Sequence, residues 1–201
     1  MLQDQIKTGI YIAIWILFSS CTILFNKWIL GFFPYPIFLT TWHMFFASVG
    51  TFTLKKTTNL LNSLDENPIS NQVYFSNVVP IGVFFAASLI FSNKVYLYLS
   101  VSFIQMLKAA TPIVVLLLSF VMNLEKPSAK LFAIIFLVSS GIAIASYGEI
   151  DFVFIGVLFQ VLGIVVESIR LVLVQILLSN NGLKFDAICG LYLFAPVTFF
   201  F

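Results

Sequence analysis

The stretch Ser92–Pro112, SNKVYLYLSVSFIQMLKAATP, continuing as IVVLLLSFVM to Met122, decides how the chain is read. It carries one charge deep inside an apolar run, Lys108. An ammonium about two helical turns into hydrocarbon costs several kcal/mol unless a cavity, water or an anion meets it. Lys108 is therefore a candidate functional residue, with an anionic solute as the expected partner. The spacing leaves a second reading open, in which Lys108 pairs with an acidic side chain or with backbone carbonyls and only fixes helix packing. Four residues on, Pro112 lacks the amide that would bond the Lys108 carbonyl, so a helix break beside the cation is expected.

Outward from this stretch, the 201 residues are 61% hydrophobic and 9% charged, too few polar groups to cover a water-soluble surface. The fold class is all-α, a polytopic membrane protein. A net charge of +2 gives no case for nucleic acid. Cys21 and Cys189 stand far apart and form no metal motif, and no metal or cofactor is expected. Phosphate loops, zincin motifs and nucleophile elbows are missing, which argues against an enzyme or an ATP-driven pump.

With about 20 apolar residues to a span, helices are expected at about 8–30, 36–55, 77–97, 101–122, 129–148, 154–178 and 186–201, the last cut short. The one long polar link, 56–76, reads as a solvated loop that could carry an interfacial segment. Lys7, Lys55, Lys56, Lys126, Lys130 and Lys184 fall on one side if the N-terminus is cytosolic, while Glu149 and Asp151 fall on the other. That asymmetry predicts a cytosolic N-terminus. No Arg- and Ser-rich leader precedes the first span, which argues against a plastid or mitochondrial address. The stop at Phe201, inside a span, is read as the mark of a fragment or truncated gene product.

Three further residue groups carry polar chemistry into the spans. Glu167 and Arg170, three apart, share a helix face and can form an ion pair, either structural or a gate. Gln105 is placed near the face of Lys108, where it could bond a solute or a neighbouring helix. Lys27, in Asn26-Lys27-Trp28, lies a turn from the end of the first span and could snorkel or face a pathway. His43 is read as hydrogen-bonded packing rather than a proton relay. A faint echo of GIYIAIWILFSSCTILFNKWIL (9–30) in VLFQVLGIVVESIRLVLVQILL (157–178) suggests an inverted repeat: five helices, then the start of a second set.

Taken in order, ILFNKWIL (23–30), FPYPIFLTTWHMFF (33–46), SNKVYLYLSVSFIQMLKAATP (92–112) and ESIRLVLVQILL (167–178) resemble the triose-phosphate and nucleotide-sugar transporter family of the drug/metabolite transporter superfamily. The likeness spans essentially the whole chain and is nearer to the fungal and plant endomembrane members. It implies a ten-helix fold of two inverted five-helix repeats, of which this chain would be the N-terminal portion. It also implies secondary exchange of a nucleotide sugar or sugar phosphate against phosphate or a nucleoside monophosphate, in the Golgi or endoplasmic reticulum membrane, with a homodimer among the expected assemblies. By the resemblance, Lys108 matches the anion-holding lysine of the fourth helix and Ser92 the hydroxyl of the third, and Lys27 gains a pathway role. The family's Lys-Arg pair of the ninth helix lies beyond Phe201. Where plastid members carry a histidine one turn before the hydroxyl, this chain has Leu89, which turns the expectation from triose phosphate toward nucleotide sugars or another phosphate ester. The alternative from a different class is a non-transporting membrane subunit, or degenerate truncated relative, that binds a full-length transporter.

Overall fold

A computed structural model describes residues 2–66, 70–124, 126, 128–147, 152–181 and 187–201. Lys184, Glu149 and Asp151, which entered the orientation argument, lie outside the described residues. Helices α1 (Leu2–Phe32) and α2 (Pro36–Thr57) are joined by a tight link, with Pro36 at the start of α2 where its missing amide leaves nothing unpaired. The short α3 (Asn62–Glu66) follows, then α4 (Asn71–Val73), a π-helical turn over Tyr74–Val78 and α5 (Val79–Val95), which run on as one rod. Next come α6 (Val101–Lys108) and α7 (Thr111–Val121), then α8 (Ala129–Tyr147), α9 (Phe154–Asn181) and α10 (Ala187–Phe200).

Among the described residues there is no strand, and five helical segments are long and apolar enough to cross a membrane. The chain is an all-α, multi-pass membrane protein. The exterior agrees with that solvent: Tyr11, Trp15, Phe18 and Trp28 of α1 are exposed, and so are Phe136 and Leu137 of α8. In water such a surface would drive aggregation, whereas against acyl chains it costs nothing.

Hydroxyls inside hydrocarbon need acceptors, and the nearest carbonyl is one turn back on the same helix. Thr40, Thr41, Ser48, Thr51 and Thr53 of α2 each donate to the carbonyl four residues earlier, as Ser168 of α9 and Thr198 of α10 do. Thr40 also accepts from the Asn93 amide at 2.9 Å, a buried bond that ties α2 to α5.

Two apolar clusters fix the arrangement. One joins Leu61 and Leu64, at and within α3, to Val78, Ile81, Leu177, Cys189, Leu193 and Phe194. The segment 56–76 thus sends two leucines into the end of the bundle, and the third rod starts at Asn71 inside it. The other cluster gathers Leu30, Leu39, Val95, Leu99, Phe103 and Ile104 around the α5–α6 link. Close approach is made by glycine: a methyl on Gly82 of α5 would stand 2.6 Å from the Val197 side chain of α10, and one on Gly156 of α9 would stand 2.7 Å from Tyr98 and Leu99. Small residues at such crossings let helix backbones pack where apolar burial supplies no net drive.

Candidate functional site

A hollow of about 400 Å³ opens between α1, α5, the α6–α7 junction and α9. The sequence places its walls by helical spacing. On α5 the lining residues Phe85, Ser88, Leu89, Ser92 and Asn93 recur at steps of three and four, as Gln160, Gly163, Ile164 and Glu167 do on α9. Each set is therefore one stripe of its helix, and both stripes are unusually polar for a membrane interior. From α1 come Ile23 and Asn26.

Lys108 ends α6 and lines this hollow. The helix stops there because Pro112 cannot donate to its carbonyl. Ala109 and Ala110 close tighter turns onto Met106 and Leu107, and α7 begins afresh at Thr111 with Pro112 in its first turn. A helix C-terminus, partially negative, thus lies behind the ammonium, and the N-terminus of α7, partially positive, beside it with Thr111 in the lining. Among the described residues Lys108 has no hydrogen-bond or ion-pair partner, and the Glu167 carboxylate shares the lining with it.

Glu167 is held on its other side. Arg170 donates through Nε at 3.0 Å to one carboxylate oxygen and through a terminal nitrogen to the other, and its guanidinium stacks 4.8 Å over the Phe85 ring. The Ser88 hydroxyl has two acceptors within reach, the Phe85 carbonyl at 2.9 Å and this carboxylate. Arg170 itself lines a neighbouring hollow of about 340 Å³ toward α10, so the pair and Phe85 form the partition between two cavities.

The structure brings Lys108, Ser92 and Glu167 to one cavity. Two further candidates, Lys27 and Gln105, stand outside this lining. The Lys27 ammonium donates to the carbonyls of Tyr96 at 2.6 Å and Leu99 at 3.0 Å, fastening the end of α5 and the start of the link. Gln105 was placed beside Lys108, but it is exposed and outside the lining, because three positions on a helix still leave about 60° of rotation. Asn26, Ser88, Asn93, Thr111 and Gln160 belong to the lining and were not singled out from sequence. The polar stripes at steps of three and four on 85–93 and 160–167 are the signal that finds them. A larger hollow of about 530 Å³, walled by Phe45, Phe52, Leu193 and Phe199 between α2 and α10, carries no charged lining residue and offers an anion nothing.

A multi-pass helical membrane protein with a cation, hydroxyls and amides turned into an internal cavity has the construction of a solute pathway. The chain belongs to the Triose-phosphate Transporter family, which it matches over residues 6–201. Three Arabidopsis thaliana proteins, each named a "probable sugar phosphate/phosphate translocator", are 43%, 42% and 38% identical to it. The similarity covers 99%, 99% and 97% of this chain and 53%, 54% and 58% of theirs, so the chain spans little more than half the length of these curated relatives.

Proposed function

We propose that the full-length product of the gene encoding this chain is a secondary carrier, not an enzyme, that exchanges a phosphorylated sugar for phosphate, and that Lys108 seats the phosphoryl group. The observation that carries this is the cavity-facing ammonium of Lys108, left without a hydrogen-bond or ion-pair partner among the described residues at the mouth of a broken helix. Ser92 and Thr111, whose hydroxyls share the lining, supply neutral donors to the same anion. The names of the relatives favour a sugar phosphate as cargo. Nucleotide sugars are the second reading, favoured by Leu89, whose apolar side chain lines the wall where plastid relatives carry histidine; nucleoside monophosphate would then be the counter-substrate.

The spans at 8–30 to 186–201 form one five-helix repeat and the opening of an inverted second. A cytosolic N-terminus in a Golgi or endoplasmic reticulum membrane accords with Lys7, Lys55, Lys56, Lys126 and Lys130. The Glu167–Arg170 pair is a structural bridge between two hollows.

The test is counter-flow in proteoliposomes made with the full-length product and preloaded with phosphate or nucleoside monophosphate, challenged with labelled sugar phosphates and nucleotide sugars. Phosphate-driven uptake of a sugar phosphate, lost in Lys108→Ala and partly kept in Lys108→Arg, is the expected result. Undiminished exchange by Lys108→Ala would overturn the assignment of the anion seat.

A further inference from the structure

Two side chains in the cavity wall keep an unpaired amide oxygen. Asn26 of α1 is 9% exposed and Gln160 of α9 is 2% exposed, and the side-chain oxygen of each has no hydrogen-bond partner. Both line the hollow that holds Lys108. A buried, unpaired amide oxygen costs about as much as a lost hydrogen bond, so two kept in one cavity call for an occupant.

Resting on the carrier reading above, we propose that Asn26 and Gln160 recognise the hydroxyl groups of the sugar, and so divide the cavity into a phosphate end and a polyol end. The phosphoryl oxygens of an ionised sugar phosphate are acceptors, and they are served by the ammonium of Lys108 and the hydroxyls of Ser92 and Thr111. Facing an amide oxygen they find another acceptor and are repelled. A sugar hydroxyl donates and accepts, so it pairs with an amide whichever way the amide is turned. The two amides come from different helices, α1 and α9, so together they test the spacing of hydroxyls as well as their presence. A site that bonds hydroxyls discriminates strongly against an analogue lacking them, because its polar groups are then stranded.

The experiment uses proteoliposomes of the full-length product, with Asn26→Leu and Gln160→Met as nearly isosteric, non-bonding variants. Three exchanges are measured: phosphate for phosphate, phosphate for glycerol 3-phosphate, and phosphate for propyl phosphate, which lacks the hydroxyls. Expected is a wild-type preference for glycerol 3-phosphate over propyl phosphate that falls about ten-fold in each variant, while phosphate-for-phosphate exchange stays within about two-fold. That homoexchange also reports that the variants are folded. Gln160→Asn, which keeps an uncharged amide at the same wall, should retain part of the preference. An unchanged preference in Asn26→Leu and Gln160→Met, with phosphate homoexchange retained, overturns the proposal and points to water as the occupant; should both variants lose all three exchanges, Gln160→Asn decides, and a preference reduced or lost there, with homoexchange retained, supports the proposal while an unchanged one overturns it. Wild-type liposomes that exchange no phosphate would instead overturn the carrier reading, and this inference with it.

Discussion

Lys27 donates its ammonium protons to the carbonyls of Tyr96 at 2.6 Å and Leu99 at 3.0 Å, so α1 is clamped to the end of α5 across nearly seventy residues of sequence. Charge-assisted bonds to carbonyls that have no partner in their own helix are worth about 1.5–3 kcal/mol each before the loss of water is counted. Lys27→Met should therefore lower the thermal midpoint of the full-length protein in detergent by several degrees, with the KM for phosphate within about two-fold of wild type in the folded fraction. A variant with normal stability and a much raised KM would return Lys27 to the pathway.

Breaking the Glu167–Arg170 bridge on one side strands a charge. The side chains are 31% and 17% exposed, so solvent softens the penalty, and each of Glu167→Gln and Arg170→Met should cost about 1–3 kcal/mol. The double variant should cost clearly less than the sum. Chemical denaturation of the four proteins provides the cycle, and strict additivity would show that the bridge is not coupled.

Glu167 also shares the cavity lining with Lys108, so it competes with an incoming anion. Glu167→Gln is expected to tighten phosphate binding by about three- to ten-fold and to slow its release, a charge effect of roughly 1 kcal/mol. Direct binding of labelled phosphate to detergent-solubilised protein reads this out, and weaker binding would contradict it.

A methyl group added at Gly82 would collide with Val197 at 2.6 Å. Gly82→Ala should cost about 1–3 kcal/mol, and Val197→Ala introduced with it should recover most of that. The recovery, followed by thermal unfolding, is the diagnostic, since a helix-propensity effect would ignore Val197.

Pro112→Ala returns a donor to the Lys108 carbonyl and lets α6 and α7 join. Stability should rise by about 1 kcal/mol and exchange should slow about ten-fold, because the ammonium turns with the straightened helix. Unaltered exchange would mean the break is incidental to the seat.

The fold was legible because lipid permits few backbone solutions: long apolar runs between prolines and short polar links have to be helices. Lys108 and Glu167 were legible for the same reason, as charged groups where none should stand without cause, whereas Ser92 was singled out only through the family resemblance. The anchorage of Lys27 was not legible, because sequence shows the charge but not the two carbonyls, sixty-nine and seventy-two residues away, that accept from it. The exposure of Gln105 was not legible, because a small angular offset on an isolated helix becomes a different face once α6 is packed. Asn26 and Gln160 escaped notice because uncharged amides in apolar runs are usually bonded to neighbouring helices, and only the packed cavity reveals that their oxygens are not.

Gly156 and Gly163, seven positions apart on α9, abut Tyr98–Leu99 and Phe91. The helices that supply most of the polar wall are thereby locked shoulder to shoulder, like the fixed jaw of a vice. The facing side is held by other means: the Lys27 ammonium ties α1 to the far end of α5, and α7 lies packed along α9, so the chamber is braced on each of its walls.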